Sequence, residues 1–324
     1  MEYTVVLCDN KTVDPATQSE ILESAGASIE ILDEKTEAAV AEAVRGAHGL
    51  VVDAATPVTA EALAGTDTLR VVGRAGIGVD NIDVAAADDE GITVVNVPDY
   101  CLDEVAIQAL SLLLACVRAV PQYDREVKAG TWDWGTGQPL RRVAGSTLGL
   151  VGFGGIARRL ASKLRTFHVD VIAHDPNVDA ETMRDYGVER VGFEELLDRV
   201  DYCSVHAPLF AATRHLLSTA EFERLDDDAV LVNTARGPVV DEDALLAALE
   251  TGEIASAGLD VRESEPPAAD DPLAERDDVV LTPHVGWYSE ESRADLSRGV
   301  AGDVAAVLRG EAPSNPVDPE TPWI

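Results

Sequence analysis

Lysine is scarce in this chain of 324 residues, whereas acidic residues are abundant. Of the 25 basic residues 21 are arginine, because lysine occurs only as Lys11, Lys35, Lys128 and Lys163. The 59 acidic residues give a formal net charge of −34, and a field of that sign disfavours nucleic acid and anionic membranes as partners. Since molar salt would screen the repulsion among so many carboxylates, we interpret the chain as halophilic rather than as an ordinary acidic protein.

Cysteine pairs and long hydrophobic runs are also lacking. The cysteines form no Cys-x-x-Cys pair, so we expect reduced thiols in a cytoplasmic protein and no metal site. They are Cys8, Cys101, Cys116 and Cys203. The longest apolar run, 109–117, is interrupted by Ser111 and is shorter than the ~18 residues that span a bilayer. No basic segment precedes an apolar one at the N-terminus, so a secretory signal is not expected.

Short apolar strands alternate with helical segments along the chain, which predicts an α/β fold with parallel sheets. At ~150 residues per domain, the length predicts two domains. The strands expected in the first part cover residues 3–8, 28–32, 49–53, 69–73 and 92–95. The strands expected in the second part cover residues 146–151, 169–173, 188–191, 201–205, 228–233, 255–259 and 278–281.

Helices are expected between these strands and on both sides of the second series. In the first part they cover Pro15–Ala25, Thr36–Arg45 and Thr59–Leu63. A long apolar helix is expected from Leu102 to Val120, where Pro121 would end it, and a loop with two tryptophans follows. The last helix covers Glu290–Leu308 and stops at Gly310.

A glycine-rich turn joins the first strand of the second series to a helix. Its sequence at 152–157, Gly-Phe-Gly-Gly-Ile-Ala, has the G-x-G-x-x-A spacing of dinucleotide-binding loops. Gly152 allows the tight turn, and Gly154 allows the backbone to approach a pyrophosphate at a helix N-terminus. Asp175 ends the next strand, where an acid binds the adenosine ribose hydroxyls. The pattern predicts NAD; it leaves NADP use open, although no arginine follows in 176–178.

Three residues with acid–base or anion-binding chemistry follow the later strands. Arg236 comes after the strand at 228–233, Glu265 after the strand at 255–259, and His284 after the strand at 278–281. Because the carboxyl ends of parallel strands meet at one edge of a sheet, we expect these side chains to gather there. An arginine beside a carboxylate and an imidazole suits an anionic substrate that exchanges a proton.

Over essentially its whole length the chain resembles the D-isomer-specific 2-hydroxyacid dehydrogenase family. The resemblance rests on the segments 152–157, 233–237, 258–261, 265–266 and 282–286. Residues 96–101 and 287–290 are similar to the branch that includes the C-terminal binding proteins, and phosphoglycerate dehydrogenases are also near relatives. The resemblance implies NAD(H)-dependent interconversion of a D-2-hydroxyacid and its 2-ketoacid by a homodimer.

The resemblance also implies a domain organisation. It implies two Rossmann-like domains with doubly wound parallel sheets. A discontinuous, flavodoxin-like substrate domain would comprise residues 1–100 and 288–324, because the last helix is expected to pack back on the first domain. Residues 101–287 would form the NAD-binding Rossmann domain.

The family implies roles for individual residues. His284 would be the general acid/base, Glu265 would orient its ring, and Arg236 would bind the substrate carboxylate. The implied cofactor-binding residues are Gly152, Gly154, Gly155, Ile156, Asp175, His206, Pro208, Thr234, Ala235, Asp260, His284 and Gly286, and Asp260 matches the residue that contacts the nicotinamide amide. The implied substrate-binding residues are Arg74, Ala75, Gly76, Ile77, Tyr100, Arg236 and Trp287. Backbone N–H groups of the loop 74–78 would bind the carboxylate, and Tyr100 and Trp287 would form an aromatic wall that favours an apolar substrate side chain.

Several alternatives stay open. His206 is equally well explained as an ordinary loop histidine, and Trp287 as packing. Gly155 stands where relatives often carry an arginine, and Gln108 lies where they often carry an acid. A nucleotide-sensing corepressor-like protein and a phosphoglycerate dehydrogenase are alternative functions. Formate dehydrogenases of the same fold place glutamine where Glu265 stands, which argues against that activity. The sequence names neither the 2-ketoacid nor the choice between dimer and tetramer.

Overall fold

The computed structural model describes residues 2–8, 11–32, 34–137 and 139–321. The chain divides into two compact units. The first unit comprises Met1–Cys101 with Tyr288–Ile324, and the second unit comprises Leu102–Trp287. Each unit is built on one parallel sheet, which confirms the predicted α/β class with two Rossmann-like sheets.

The elements follow one another in βα alternation through both units. The strands are β1 (Tyr3–Leu7), β2 (Ala27–Ile31), β3 (Gly49–Val52), β4 (Val71–Arg74), β5 (Thr93–Val95), β6 (Thr147–Val151), β7 (Asp170–His174), β8 (Glu189–Arg190), β9 (Tyr202–Val205), β10 (Val230–Asn233), β11 (Ser256–Leu259) and β12 (Val279–Leu281). The helices are α1 (Pro15–Ser24), α2 (Glu37–Ala43), α3 (Ala60–Leu63), α4 (Val84–Asp89), α5 (Leu102–Val117), α6 (Val120–Lys128), α7 (Gly155–Leu164), α8 (Ala180–Asp185), α9 (Phe193–Arg199), α10 (Thr219–Phe222), α11 (Glu242–Thr251) and α12 (Glu290–Leu308). Short 3-10 turns cover Gly237–Val239 and Pro272–Glu275.

The sheet of the first unit has the strand order β2-β1-β3-β4-β5, which is the order of flavodoxin-like folds. Helix α12 packs against β4 and α1, so the last helix belongs to this unit. Gly73 in β4 makes the approach possible, because a Cβ atom there would lie 2.8 Å from Val304 Cγ2 and 2.9 Å from Val300 Cγ2. A side chain at Gly73 would therefore push the helix off the sheet.

The sheet of the second unit has the order β12-β11-β10-β9-β6-β7-β8, in which the direction of winding reverses at β6. Helix α5 packs on β10 and β11 and against α7. Gly258 in β11 permits this contact, because a Cβ atom there would lie 2.9 Å from Leu112 Cβ. Leu112, Leu148, Leu150 and Phe153 belong to the core on this face of the sheet.

The segment after α5 differs from the expectation. The helix predicted to reach Val120 ends at Val117, and Pro121 lies in the first turn of a separate helix, α6. Ala119 has the left-handed φ of 48° that separates the two. Proline fits the first turn of a helix because its missing N–H has no intrahelical partner there, so the prediction that Pro121 only ends a helix was wrong.

No single helix among the described residues is long and apolar enough to span a membrane. Only α5 and α6 together pass that test of length and composition, and a bend of 61° separates them. The cysteines are free thiols. Burial raises the pKa of the Cys203 thiol to about 12, so that thiol stays protonated and serves as a packing group.

Candidate functional site

The carboxyl ends of six neighbouring strands in the second unit lie in one row. Residue pairing across the sheet runs through His174, Val151, Val205, Asn233, Leu259 and Leu281. The residues that follow them at this edge are Asp175, Gly152, His206, Thr234, Asp260 and Thr282. All but Thr282 are among the residues for which the family resemblance implies cofactor contacts. The topology therefore gathers these residues at the edge where open α/β sheets bind ligands.

The two glycines of the loop after β6 serve different purposes. Gly152 has φ +94°, and a Cβ atom there would lie 2.8 Å from the backbone N of Ala207. The protein itself therefore requires glycine at 152. Gly154 is the N-cap of α7 with φ −77°, and a Cβ atom there would meet no described protein atom within 4 Å. The open space beside a helix N-terminus fits a pyrophosphate group.

The third glycine of the loop, Gly155, is also exposed. A Cβ atom at Gly155 would lie 3.0 Å from Leu102 Cδ1, which is tight for a larger residue. Ile156 is half-buried in the first turn of α7. Since no basic side chain stands at 155, a phosphate bound here would interact with the backbone N–H groups of the helix start.

Asp175 is fixed above the glycine loop. Its Oδ2 atom accepts a hydrogen bond from the backbone N of Phe153 at 2.8 Å, and its Oδ1 atom accepts one from the backbone N of Asn177 at 2.9 Å. Each carboxylate oxygen retains acceptor capacity for a ribose hydroxyl. Arg190, at the end of β8, places Nη2 3.5 Å from the carbonyl oxygen of Asp175. Residues 176–178, which follow Asp175 in the sequence, give no sign of this arginine because it lies in a different strand.

Two buried polar atoms at the same edge have no hydrogen-bond partner among the described residues. They are Thr234 Oγ1 and His206 Nδ1. His206 Nε2 lies 2.9 Å from Ser204 Oγ, and burial lowers the pKa of His206 to about 4, so the ring is neutral near pH 7. Buried polar atoms are rarely left without partners. A dinucleotide bound beside Ala235 and Pro208 fits this edge, because its polar groups would give these two atoms hydrogen-bond partners.

The predicted acid–base pair is formed. His284 Nδ1 lies 2.7 Å from Glu265 Oε2, and Glu265 Oε1 accepts a hydrogen bond from the backbone N of Arg262 at 2.9 Å. Burial alone would raise the pKa of Glu265, but the bond and charge of His284, the N–H of Arg262 and the charge of Arg236 hold it below its ordinary value. Glu265 is therefore an ionised partner for the imidazole.

Arg236 is held by its own turn. Asn233 is buried at the end of β10; its Nδ2 donates to the carbonyl of Arg236 at 2.9 Å, and its Oδ1 accepts from the backbone N of Ala235 at 3.0 Å. Nη1 of Arg236 donates to the carbonyl of Ala235 at 2.8 Å. Because the charge of Arg236 acts on Glu265, the three predicted catalytic residues share one electrostatic environment. Sequence reasoning did not single out Asn233.

Asp260 holds the loop that carries His284. Its Oδ1 atom accepts hydrogen bonds from Thr282 Oγ1 at 2.5 Å and from the backbone N of Val285 at 3.0 Å. Its Oδ2 atom accepts one from the backbone N of Gly286 at 2.8 Å. Gln108 Nε2 donates to Thr282 Oγ1 at 2.9 Å. Asp260 thus fixes a loop in which His284 has the left-handed φ of 52°, a conformation that needs such support.

The predicted carboxylate-binding residues Arg74, Ala75, Gly76 and Ile77 lie in the first unit, at the end of β4 and just after it. Nη1 of Arg74 donates to the carbonyl of Ala75 at 2.5 Å, and Asn96 Nδ2 donates to the carbonyl of Ile77 at 2.7 Å. The backbone N of Ala75 donates to Val52 O and that of Gly76 to Arg74 O. These two N–H groups are engaged within the unit, and binding of a substrate carboxylate by the N–H groups of this loop stays a prediction. Tyr100 belongs to the first unit and Trp287 to the second, and both are half-buried.

A cluster of three potential metal ligands, His215, Asp241 and Glu263, is a finding that the sequence did not predict. Their ligand atoms lie within 4.8 Å of one another. Hydrogen bonds account for the arrangement, because Asp241 caps α11 through the backbone N of Ala244 at 3.1 Å and accepts from Ser218 Oγ at 2.9 Å. His215 Nε2 lies 3.0 Å from Glu263 Oε1.

A Rossmann sheet with an open glycine loop, a fixed acid at the next strand and an Arg–Glu–His group defines a dinucleotide-binding α/β protein. The family model described as "D-isomer specific 2-hydroxyacid dehydrogenase, NAD binding domain" matches residues 110–286. The chain belongs to this family, and the match confirms the predicted family and NAD as the cofactor.

Relatives and solved structures agree with this assignment. The chain is 39% identical over 299 residues to a D-3-phosphoglycerate dehydrogenase of Methanocaldococcus jannaschii, which covers 92% of this chain and 56% of the relative. It is 39% identical over 284 residues to a glyoxylate reductase of Korarchaeum cryptofilum, with 87% and 86% covered. The chain spans about half the length of several curated relatives named D-3-phosphoglycerate dehydrogenase.

Two solved structures are similar over nearly the whole chain. The TT0316 protein from Thermus thermophilus has a TM-score of 0.88 at 31% identity, with 97% of this chain and 100% of that chain covered. D-lactate dehydrogenase from Aquifex aeolicus, complexed with NAD and lactic acid, has a TM-score of 0.87 at 26% identity, with 97% and 98% covered.

Proposed function

We propose that this protein interconverts a D-2-hydroxyacid and its 2-ketoacid with NAD(H). The observation that carries the proposal is the hydrogen bond of 2.7 Å between His284 Nδ1 and Glu265 Oε2, formed next to Arg236 in the NAD-binding domain. With Nδ1 bonded to an ionised carboxylate, Nε2 is the ring nitrogen left to donate the proton.

The residues divide the work of ketoacid reduction between them. Bound NADH supplies the hydride. His284 would donate the proton to the C2 oxygen, while the hydrogen bond to Glu265 would orient the ring. Arg236 would bind the substrate carboxylate through its planar guanidinium. Gly154, Asp175, Thr234 and His206 would hold the dinucleotide. In the reverse direction His284 would accept the hydroxyl proton.

A steady-state screen tests the proposal. The purified protein would be assayed in molar KCl with NADH and NADPH against glyoxylate, pyruvate, longer apolar 2-ketoacids and phosphohydroxypyruvate. We expect turnover with NADH, and with at least one 2-ketoacid, that yields the D-hydroxyacid on chiral analysis. Binding of NADH without turnover of any 2-ketoacid would instead support the corepressor-like function. Chiral analysis that finds the L-hydroxyacid would contradict the proposal.

Phosphoglycerate oxidation is the second candidate, and the 39% identity to a D-3-phosphoglycerate dehydrogenase favours it. Against it stands Trp287, three residues after His284, whose indole would offer no charged partner to a phosphate. The screen separates the two through the ratio of kcat/KM for phosphohydroxypyruvate to that for an apolar ketoacid of similar length. A ratio well above one would support the phosphorylated substrate.

We also propose a homodimer formed through the segment 107–134. Most of the described exposed large hydrophobic residues lie there, including Trp132 at 89% and Trp134 at 78% exposure. Exposed aromatic residues this close together are typical of interfaces. Sedimentation in molar KCl should give twice the chain mass, and the double substitution Trp132→Ser with Trp134→Ser should give the monomer. An unchanged mass in that variant would move the interface elsewhere. The cytoplasmic location stays a prediction.

A further inference from the structure

We propose that Arg262 is a positioning residue for the His284–Glu265 pair. The inference rests on the proposed function, because it assigns Arg262 a part in the same proton transfer. Nothing in the local sequence pattern around Arg262 suggests such a role. The residue stands in an acidic stretch, Arg-Glu-Ser-Glu, at 262–265, where a basic side chain is expected to be solvated.

The guanidinium of Arg262 is buried between two carboxylates. Its side chain is only 7% exposed. Nε and Nη2 donate to the two oxygens of Glu242 at 2.8 and 2.9 Å, and Nη1 donates to Asp271 Oδ2 at 2.5 Å. The hydrogen bond from Arg262 is the main cause that lowers the pKa of Asp271. This ion triad holds Arg262 in one orientation, because two edges of its planar fork are occupied.

The backbone of Arg262 links this fixed guanidinium to the His284–Glu265 pair. Its N–H donates to Glu265 Oε1 at 2.9 Å, while Glu265 Oε2 lies 2.7 Å from His284 Nδ1. Glu242 Oε1 also accepts from the backbone N of Glu263 at 2.8 Å. The triad therefore holds two successive N–H groups of the loop, one of which binds the carboxylate that orients His284.

Gly237 connects the same loop to Arg236. A Cβ atom at Gly237 would lie 1.9 Å from the backbone C of Arg262, so the two backbones are in direct contact. A shift of Arg262 would thus disturb the turn of Arg236 as well as Glu265. The His284–Glu265 pair and Arg236, which is predicted to bind the substrate carboxylate, therefore both depend on the position of the Arg262 backbone.

Other charged groups in the second unit face this loop and bear on its pH response. Arg236 acts on Glu265, and Asp260 binds the backbone after His284. Glu263 and His215, both exposed, contact each other at 3.0 Å. None of these groups replaces the Arg262 N–H as the donor to Glu265 Oε1. Loss of the triad should let Glu265 swing away from His284 and leave the imidazolium without its partner.

The test compares Arg262→Gln with a matched control, Arg276→Gln. Arg276 also pairs with an acid in the second unit, Asp278 at 2.6 Å, and also donates to a carbonyl, Leu249 O at 3.0 Å, but none of its described hydrogen bonds reaches the 262–265 loop. Both variants lose one ion pair or more and should melt at lower temperature. The measurements are kcat and KM for the ketoacid across pH, KM for NADH, the melting temperature, and the NMR titration of the His284 ring in molar KCl.

For Arg262→Gln we expect kcat at pH 7.5 to fall about tenfold or more. The upper limb of the pH profile should move to lower pH by about half a unit or more, because the protonated imidazole is less stabilised. KM for NADH should stay within about twofold, since the glycine loop is untouched. Arg262→Lys, which keeps one ion pair, should recover part of the shift. Arg276→Gln should show only the lower melting temperature.

A wild-type pH profile in Arg262→Gln, together with a melting temperature like that of Arg276→Gln, would overturn the inference. If Arg262→Gln fails to fold, Glu242→Gln decides, because it keeps the packing and removes one charge. If the upper limb of the pH profile of Glu242→Gln moves to lower pH, the inference is supported. If that limb does not move, the inference is contradicted. If the wild-type protein turns over no ketoacid, the proposed function fails separately. The NMR titration of His284 in the two arginine variants then still decides whether Arg262 acts on the ring.

Discussion

The two halves of the sheet edge in the second unit differ in how completely their polar groups are hydrogen-bonded. The half at the ends of β6, β7, β9 and β10 has an open space at Gly154 and two buried atoms, Thr234 Oγ1 and His206 Nδ1, without partners among the described residues. In the half at the ends of β11 and β12, Asp260, Glu265 and Arg262 each engage several groups. Under the proposed function, the first half would receive the dinucleotide and the second would hold the side chains for the chemical step.

The difference follows from what each half has to do. Binding affinity grows when a ligand satisfies groups that the free protein leaves unsatisfied. Catalysis instead requires donors that are already aligned before the reaction, so that no reorganisation is needed at that moment. Substitutions in the first half should therefore act on cofactor affinity, and substitutions in the second should act on rate.

The largest expected effect is on the rate half. His284→Ala removes the proposed proton donor and should lower kcat for ketoacid reduction by ~10²–10⁴. The dissociation constant for NADH, measured by fluorescence titration, should change little, because the glycine loop lies at β6. A loss of less than tenfold in kcat would remove His284 from the role of acid/base.

Arg236→Lys should act on turnover as well, although Arg236 follows β10 in the binding half, because its charge acts on Glu265. One ammonium group cannot reproduce the planar, two-point contact of a guanidinium, so KM for the ketoacid should rise and kcat should fall, together by about 10–100-fold in kcat/KM. Arg298→Lys, a change of the same chemistry at an exposed site that pairs with Asp295, serves as the control. Steady-state constants equal to those of the wild type would return Arg236 to a structural role.

The binding half is tested by two neighbouring glycines. Gly154→Ala adds a Cβ that touches no described protein atom within 4 Å, so the melting temperature should hold while the dissociation constant for NADH rises about tenfold. Gly152→Ala should lower the melting temperature as well, because its φ is +94° and its Cβ would lie 2.8 Å from Ala207 N. If both variants melted like the wild type, the distinction drawn between the two glycines would be wrong.

Glu265→Gln should give a smaller change that depends on pH. The carboxylate has a pKa held below its ordinary value, so it is ionised throughout the neutral range and stabilises the protonated imidazole. Its loss should move the upper limb of the reduction profile to lower pH by about one unit, with less effect on the acidic side. An unmoved limb would show that the pair of Glu265 and His284 has no part in proton transfer.

Salt should have the smallest effect, and it should act on both halves of the sheet edge. With a net charge of −34, the protein repels itself and also repels anionic NADH. The Debye length falls from ~10 Å at 0.1 M to ~3 Å at 1 M, so the melting temperature should rise and KM for NADH should fall as KCl is raised. NaCl should act alike, because screening does not distinguish the cations. A melting temperature that stays flat up to about 2 M salt would contradict the halophilic interpretation.

The sequence predicted the sheet edge well because its signals are local. The periodicity of hydrophobic residues and the turn residues located each strand to within about two residues. The order of the strands then brought Gly152, Asp175 and His284 to one edge. Helix α6 was missed because Pro121 follows a long helix, and only the structure shows that it begins the next one. The occupied N–H groups of Ala75 and Gly76 were also missed, since their acceptors come from the turn's own geometry and from β3.

The supporting contacts were beyond the sequence for a different reason. Arg262 bonds Glu242, 20 residues earlier, and Gln108 reaches Thr282, 174 residues later. No periodicity or spacing links such distant positions in a single sequence. Asp260 illustrates the same limit, because its motif suggested a ligand contact, whereas its oxygens bind the backbone of Val285 and Gly286. Chemistry-bearing residues can be identified locally, but the residues that hold them cannot.

The return of α12 to the first unit has a consequence for the order of synthesis. Gly73 of β4 is translated early, yet Val300 and Val304, which cover it, follow only after the entire second unit. At ~5–20 residues per second, the roughly 230 residues between them take about 10–50 s to make. During that interval the second unit, which is continuous in sequence, can complete its fold on the ribosome. The apolar face of β4 stays uncovered until α12 emerges, so the first unit is completed last although its chain begins first.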